Sequence, residues 1–148
     1  MLNVIPYEDF HALEIKVRDM DEAKRKSQEW RKWAMDNALQ GPSYTIRDGN
    51  HILSCCGVRV LWPGVGEAWL IFSPEIEKHT LEATKIIRTY LAKIIADCEL
   101  RRVQAFATVN SPKAARYLEV LGFQREGVLR KLGRDGSDHY CYAIVAGD

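Results

Sequence analysis

No apolar run in this sequence approaches the ~20 residues that cross a bilayer, and the start, M-L-N-V-I-P-Y-E-D-F, has neither a basic region nor an apolar stretch of secretory length. These absences point to a cytoplasmic protein with no membrane partner. An excess of either charge is also lacking: 21 Lys and Arg against 20 Asp and Glu leave a formal +1, so no general electrostatic argument favours nucleic acid or anionic lipid. Cysteine is sparse. Cys55, Cys56, Cys98 and Cys141 form no C-x-x-C pair, and the adjacent Cys55 and Cys56 would point to opposite faces of a strand. Reduced thiols are expected, and no metal site, because no second Cys pair or His cluster accompanies them. No internal repeat, linker or low-complexity segment is visible.

What is there suits one compact domain over residues 1–148. The chain is 47% hydrophobic and 28% charged, a size at which a domain buries about two thirds of its unfolded surface. Residues 3–6 read as a short strand and 7–17 as a helix, with Phe10, Leu13 and Val17 at helical spacing. A second helix is expected over 20–39, with Ala23, Trp30, Trp33, Ala34 and Asn37 on its inner side and Gln40-Gly41-Pro42 ending it. Its lysines and arginines between 24 and 32 beside two tryptophans raise a nucleic-acid reading. Glu22, Glu29 and Asp36 interleave with them, and tryptophans three apart are usually core, so a solvated outer face is preferred.

Residues 43–47 and 51–62 read as a hairpin around Asp48-Gly49-Asn50, and 67–73 as an apolar central strand. A helix over 74–98 follows, with Ala83, Ile87, Tyr90, Leu91, Ile94 and Ile95 as its stripe. Then come a strand at 103–109, a helix within 110–123, and strands at 124–132 and 139–145. The order is β-α-α-β-β-β-α-β-α-β-β, an α/β (α+β) chain with a mixed, mainly antiparallel sheet flanked by helices. Within 110–123, Ser111 can cap a helix whose first residue is Pro112, and Gly122 can end it. Ala114, Leu118 and Leu121 share its inner face.

That segment carries a particular wording. The run N-S-x-x-A-x-x-x-L-x-x-L-G-F-x-x-E-G-x-L-R, followed by R-D-G-S-D-H-Y-x-Y, resembles the C-terminal half of the GNAT (Gcn5-related N-acetyltransferase) fold. The whole-chain layout is similar to small GNAT-like proteins of tailed phages, some of them internal virion proteins. The resemblance implies acyl transfer from acetyl-CoA to a small-molecule or protein amine; a homodimer is one open arrangement. The alternative to acyl transfer is a phage or prophage component that has lost catalysis and meets virion proteins in a virion or infected host cell.

The resemblance also assigns residues. Cofactor would lie along Ile71, Phe72 and Ser73, on the loop through Lys78, His79, Thr80 and Leu81, and against Asn110 and Ser111. That loop, S-P-E-I-E-K-H-T-L, lacks the family's glycines, and Glu75 and Glu77 face a diphosphate with a like-charge conflict of ~1–3 kcal/mol. The general base would be a carboxylate on the central strand, where Glu67 stands, a residue also readable as a solvated strand end. The acid would be a tyrosine near Tyr117. Counting back from Phe123 favours the place of Leu118, and one helical step turns a side chain by ~100°, so Tyr117 is either the acid or rim packing. Asn110 and Ser111 have local roles too, as turn and cap. His51, His79 and His139 read as surface residues, because no Ser or Cys with an Asp partner completes a triad.

Overall fold

The computed structural model describes residues 1–17 and 20–147. Seven strands make one sheet in the order β1-β2-β3-β4-β5-β7-β6. They are β1 Asn3–Pro6, β2 Ser43–Asp48, β3 His51–Trp62, β4 Val65–Phe72, β5 Arg102–Thr108, β6 Gln124–Leu129 and β7 His139–Val145. Neighbours run antiparallel except β4 and β5, which are parallel. A parallel pair needs a crossover. Here it is the 3-10 turn Pro74–His79 followed by helix α4, Thr80–Asp97.

The period-2 alternation of the strands divides the core between the two faces. Cys56 belongs to the cluster under α4, with Tyr44, Ile46, Val58, Ile87 and Leu91, while Cys55 faces Tyr7, Ala12, Ile15, Ala34 and Trp69. That second face is covered by α1 (Asp9–Glu14) and α3 (Gln28–Leu39), with the short α2 (Glu22–Arg25) beside α3 and burying no residue of its own. Each fully buried Ile or Leu contributes about 1.5–3 kcal/mol of transfer free energy. The buried part of the α4 stripe is Ala83, Ile87, Leu91 and Ile94, and helix α5 (Pro112–Val120) lies on the same face.

Several expected elements differ in extent. The helix anticipated over 7–17 is the six-residue α1. The helix anticipated over 20–39 is broken, because the Ser27 hydroxyl accepts from the Trp30 amide at 3.1 Å and starts α3 afresh; Ala23, expected on the inner side, is exposed. The segment 74–98 is likewise two elements. The Ser73 hydroxyl accepts from the Glu75 amide at 3.3 Å and Pro74 takes the first position, which winds a tight turn before the α-helix begins. In α5 the buried alanine is Ala115, whereas Ala114 is exposed toward the cavity. Gly122, at φ +103°, ends that helix in a backbone conformation that L side chains rarely adopt.

Candidate functional site

The site follows from how far β4 and β5 stay together. Their register is Val65↔Arg102, Gly66↔Val103 and Glu67↔Gln104, and no later pair is formed among the described residues. Beyond Glu67 each strand remains tied to its other neighbour. β4 pairs with β3 up to Phe72↔Ser54, and the Ser73 amide donates to the Leu53 carbonyl at 2.8 Å. β5 pairs with β7 up to Thr108↔His139. The two strands therefore part, and the β4 edge over residues 68–72 has no strand partner on that side. Such an edge offers a row of backbone donors and acceptors to an extended ligand.

Two cavities occupy the gap. One, of about 400 Å³, runs through the splay and is walled by Trp33, Arg59, Glu67 and Trp69 at one end and by Ile87, Leu91 and Leu121 at the other. The second, a groove of about 620 Å³, lies between the Ser73–Thr80 stretch and α5. Leu70, Phe72, Ala114 and Tyr117 line both, so they share a wall.

Of the residues anticipated as cofactor-binding, Ile71, Phe72, Ser73, Thr80 and Ser111 line the groove. Lys78, His79, Leu81 and Asn110 are not in its wall. His79 Nε2 stands 3.4 Å from Asp48 Oδ2, Leu81 is 83% exposed, and the exposed Asn110 donates its amide to Thr108 Oγ1 at 3.3 Å. The Ser111 hydroxyl accepts from the Ala114 amide at 3.3 Å, so it caps α5 from a place inside the groove.

The like-charge conflict takes another form than the sequence implied. Glu75 does not line the groove. Among the described residues, its charged walls are Glu77, Lys113 and Arg116, and Lys113 Nζ meets Glu77 Oε1 at 2.7 Å across the opening. Two cations against one carboxylate favour an anionic ligand there.

Tyr117 lies at the cleft, not turned away from it. Positions 114, 117, 118 and 121 form an i, i+3, i+4, i+7 stripe, and all four line the splay. The Tyr117 hydroxyl shares a 3.0 Å hydrogen bond with Thr84 Oγ1, and its ring meets Phe72 edge-on at 5.4 Å. Burial pushes its phenol above the ordinary tyrosine range, opposed in part by the Thr84 bond, so it holds its proton at neutral pH.

Glu67 is half-buried rather than a solvated strand end. Its carboxylate receives the Arg59 guanidinium from the facing residue of β3. Cys56 also lines the cleft, but burial pushes its thiol up to about 12, so it offers no thiolate nucleophile.

Arg59, Trp69, Thr84, Lys113 and Arg116 were not anticipated. None had a readable signal: a hairpin turning at 63–64 pairs residues whose numbers sum to 127, which would set Arg59 opposite Ala68, and it is the register shift between Val60 and Trp62 that brings Arg59 opposite Glu67.

No family model and no curated protein sequence matches this chain. Its likeness is to solved structures. A chimera of spermidine N-acetyltransferase SpeG from Vibrio cholerae and hSSAT superposes with a TM-score of 0.75 at 18% identity, over 97% of this chain and 95% of that one. A GNAT-family acetyltransferase from Bacillus anthracis gives 0.72 at 17%, over 99% and 96%. The ribosomal-protein-S18-alanine N-acetyltransferase from Escherichia coli gives 0.71 at 14%, over 98% and 94%. The fold is that of the GNAT acyl-CoA N-acyltransferases.

Proposed function

We propose that this chain is an acyl-CoA-dependent N-acyltransferase, acting as one domain in the cytoplasm on a small-molecule or protein amine. The observation that carries this reading is the parting of β4 and β5 after Glu67, which sets a free strand edge, a carboxylate and a protonated phenol around adjoining cavities.

The residues fit acetyl-CoA as co-substrate. The unpartnered β4 edge over 68–72 suits the amides of a pantetheine arm, which pair with it as an added strand would. The apolar groove walls suit the methylenes of that arm, and Lys113 and Arg116 supply positive charge for phosphates. When bound, acetyl-CoA supplies the thioester, an electrophilic carbonyl with a thiolate leaving group. Glu67, oriented by Arg59, takes the proton of an amine entering past Trp33 and Trp69. Tyr117 Oη, kept protonated by burial and oriented by Thr84, gives a proton to the departing sulfur.

A second reading is favoured by the glycine-free turn Pro74–His79 and by Glu77 at the groove opening: a GNAT-shaped phage or prophage component without catalysis. Calorimetric titration with acetyl-CoA separates the two. Saturable binding with Kd in the micromolar range is expected for the transferase; no heat at millimolar acetyl-CoA sinks that reading and leaves the second.

A further inference from the structure

The acceptor end of the cleft has its own charge pattern. Among the described residues, the charged side chains lining the 400 Å³ cavity are Arg59 and Glu67, one of each sign. They are 25% and 20% exposed, directly opposite each other in the β3/β4 register, with Arg59 Nη2 donating to Glu67 Oε2. As a stabilising device such a pair is weak, since a cross-strand ion pair contributes about 0.2–1 kcal/mol and desolvation offsets it. Nor is it complete as a hydrogen-bonded unit. Arg59 Nε is buried without a partner, and so is the indole Nε1 of Trp69, another residue of the same wall. Each is a donor short of an acceptor, a deficit that costs about 1–3 kcal/mol when buried. An entering group with acceptor oxygens removes that deficit, while the remaining edge of the guanidinium fork matches a carboxylate in bidentate geometry.

The walls beside this pair are aromatic and stiff. Trp33 meets Trp69 edge-on at 5.2 Å, and Trp30 stacks on Trp33 at 4.7 Å, braced by a 2.9 Å bond from its own indole Nε1 to the Ala12 carbonyl. They offer a flat apolar side chain a surface of low conformational entropy.

We infer that the acceptor is a free α-amino acid with a flat apolar side chain, its ammonium on Glu67, its carboxylate on Arg59 and its side chain against Trp33 and Trp69. This rests on the acyl-transfer reading and names its substrate class. A zwitterion fits because it replaces one internal ion pair with two antiparallel ones, leaving the cleft neutral. A polyamine brings two or more cations to a lining with one carboxylate and an adjacent guanidinium, and like charges there are repelled.

Calorimetry with L-phenylalanine, phenylalaninamide, phenethylamine and spermidine, each alone and with saturating CoA, tests the inference. L-Phenylalanine should bind at least tenfold tighter than the amide or phenethylamine, and spermidine should give no saturable heat. In Arg59→Gln the preference for the carboxylate should fall below about threefold, and phenethylamine should bind at least as tightly as to wild type, because the neighbouring positive charge is gone. Wild-type discrimination decides the matter even if that variant does not fold. Spermidine or phenethylamine binding as tightly as L-phenylalanine overturns the inference, as does undiminished discrimination in folded Arg59→Gln. Acetyl-CoA binding is measured separately. If it binds and no amino acid does, the substrate assignment fails and acyl transfer stands; if L-phenylalanine binds and acetyl-CoA does not, the transferase reading fails.

Discussion

Replacing Glu77 with Gln should tighten acetyl-CoA. The Glu77 and Lys113 side chains are 51% and 77% exposed, so their pair contributes under ~1 kcal/mol, and its loss moves Tm by less than about 4 °C in a chain of this size. Binding is another matter. With about 6 Å between Glu77 and a phosphate in the groove, and an effective dielectric of about 60, each unit of ligand charge is worth about 0.9 kcal/mol. In 0.1 M salt, screening over a ~10 Å Debye length roughly halves that figure. For a diphosphate of about two charges the gain is about 1 kcal/mol, or roughly fivefold in Kd, rising to about tenfold near 0.01 M salt. Calorimetric titration at both salt concentrations measures it, with pantetheine as a control that has the arm but no diphosphate. Pantetheine affinity should stay within about twofold, and Lys113→Gln should weaken acetyl-CoA with the same salt dependence. An unchanged or weaker acetyl-CoA Kd in Glu77→Gln, or equal tightening of pantetheine, refutes the placement of phosphates beside Glu77.

Tyr117→Phe keeps the ring against Phe72 and removes the proton donor. Thiol release from acetyl-CoA with acceptor present should fall about 10²-fold or more in kcat, with acetyl-CoA affinity within about threefold; a kcat loss under threefold would show that the phenol is rim packing. His11 makes a separate prediction about pH. It is 4% exposed, its Nδ1 lies 2.9 Å from Thr45 Oγ1, and burial holds its imidazole below the ordinary range. The unfolded chain takes up that proton near pH 6.5 while the folded chain resists it, so the stability is present above ~6.5 and is lost as pH falls toward the depressed folded value. Thermal melts from pH 7 to 5 should show Tm falling more steeply in wild type than in His11→Gln, and equal slopes would contradict the assignment.

What the sequence disclosed is what local chemistry dictates. Pro112 after Ser111 and Gly122 before Phe123 set the ends of α5, because a cap and a left-handed stop act within a few residues. Strand periodicity likewise separated Cys55 from Cys56. Helix continuity was less legible, since a polar residue inside a helical pattern either stays in the helix or restarts it. Ser27 restarts it, a choice that Trp30 on the sheet face completes. The register count that set Tyr117 against the place of Leu118 could not decide between them because it compares single positions, whereas the cavity is lined by a stripe wide enough to include both 117 and 118. The Glu77–Lys113 contact was out of reach, joining residues 36 apart that meet only when the crossover brings α5 beside the turn after β4.

That contact changes what the missing glycines mean. A glycine-rich loop admits phosphate by letting the backbone approach closely. Here Ser73 and Pro74 wind the same stretch into a 3-10 turn, and the positive charges at the groove among the described residues, Lys113 and Arg116, come from the opposite wall on α5. Among the described residues, the charged contact in the groove wall is an exposed ion pair, Lys113 with Glu77. An exposed ion pair exchanges one anion for another at a cost of about 1 kcal/mol or less. If this groove takes the phosphates of acetyl-CoA as proposed, the acidic turn therefore leaves it open to them by way of Lys113, and affinity at this position should follow charge rather than shape.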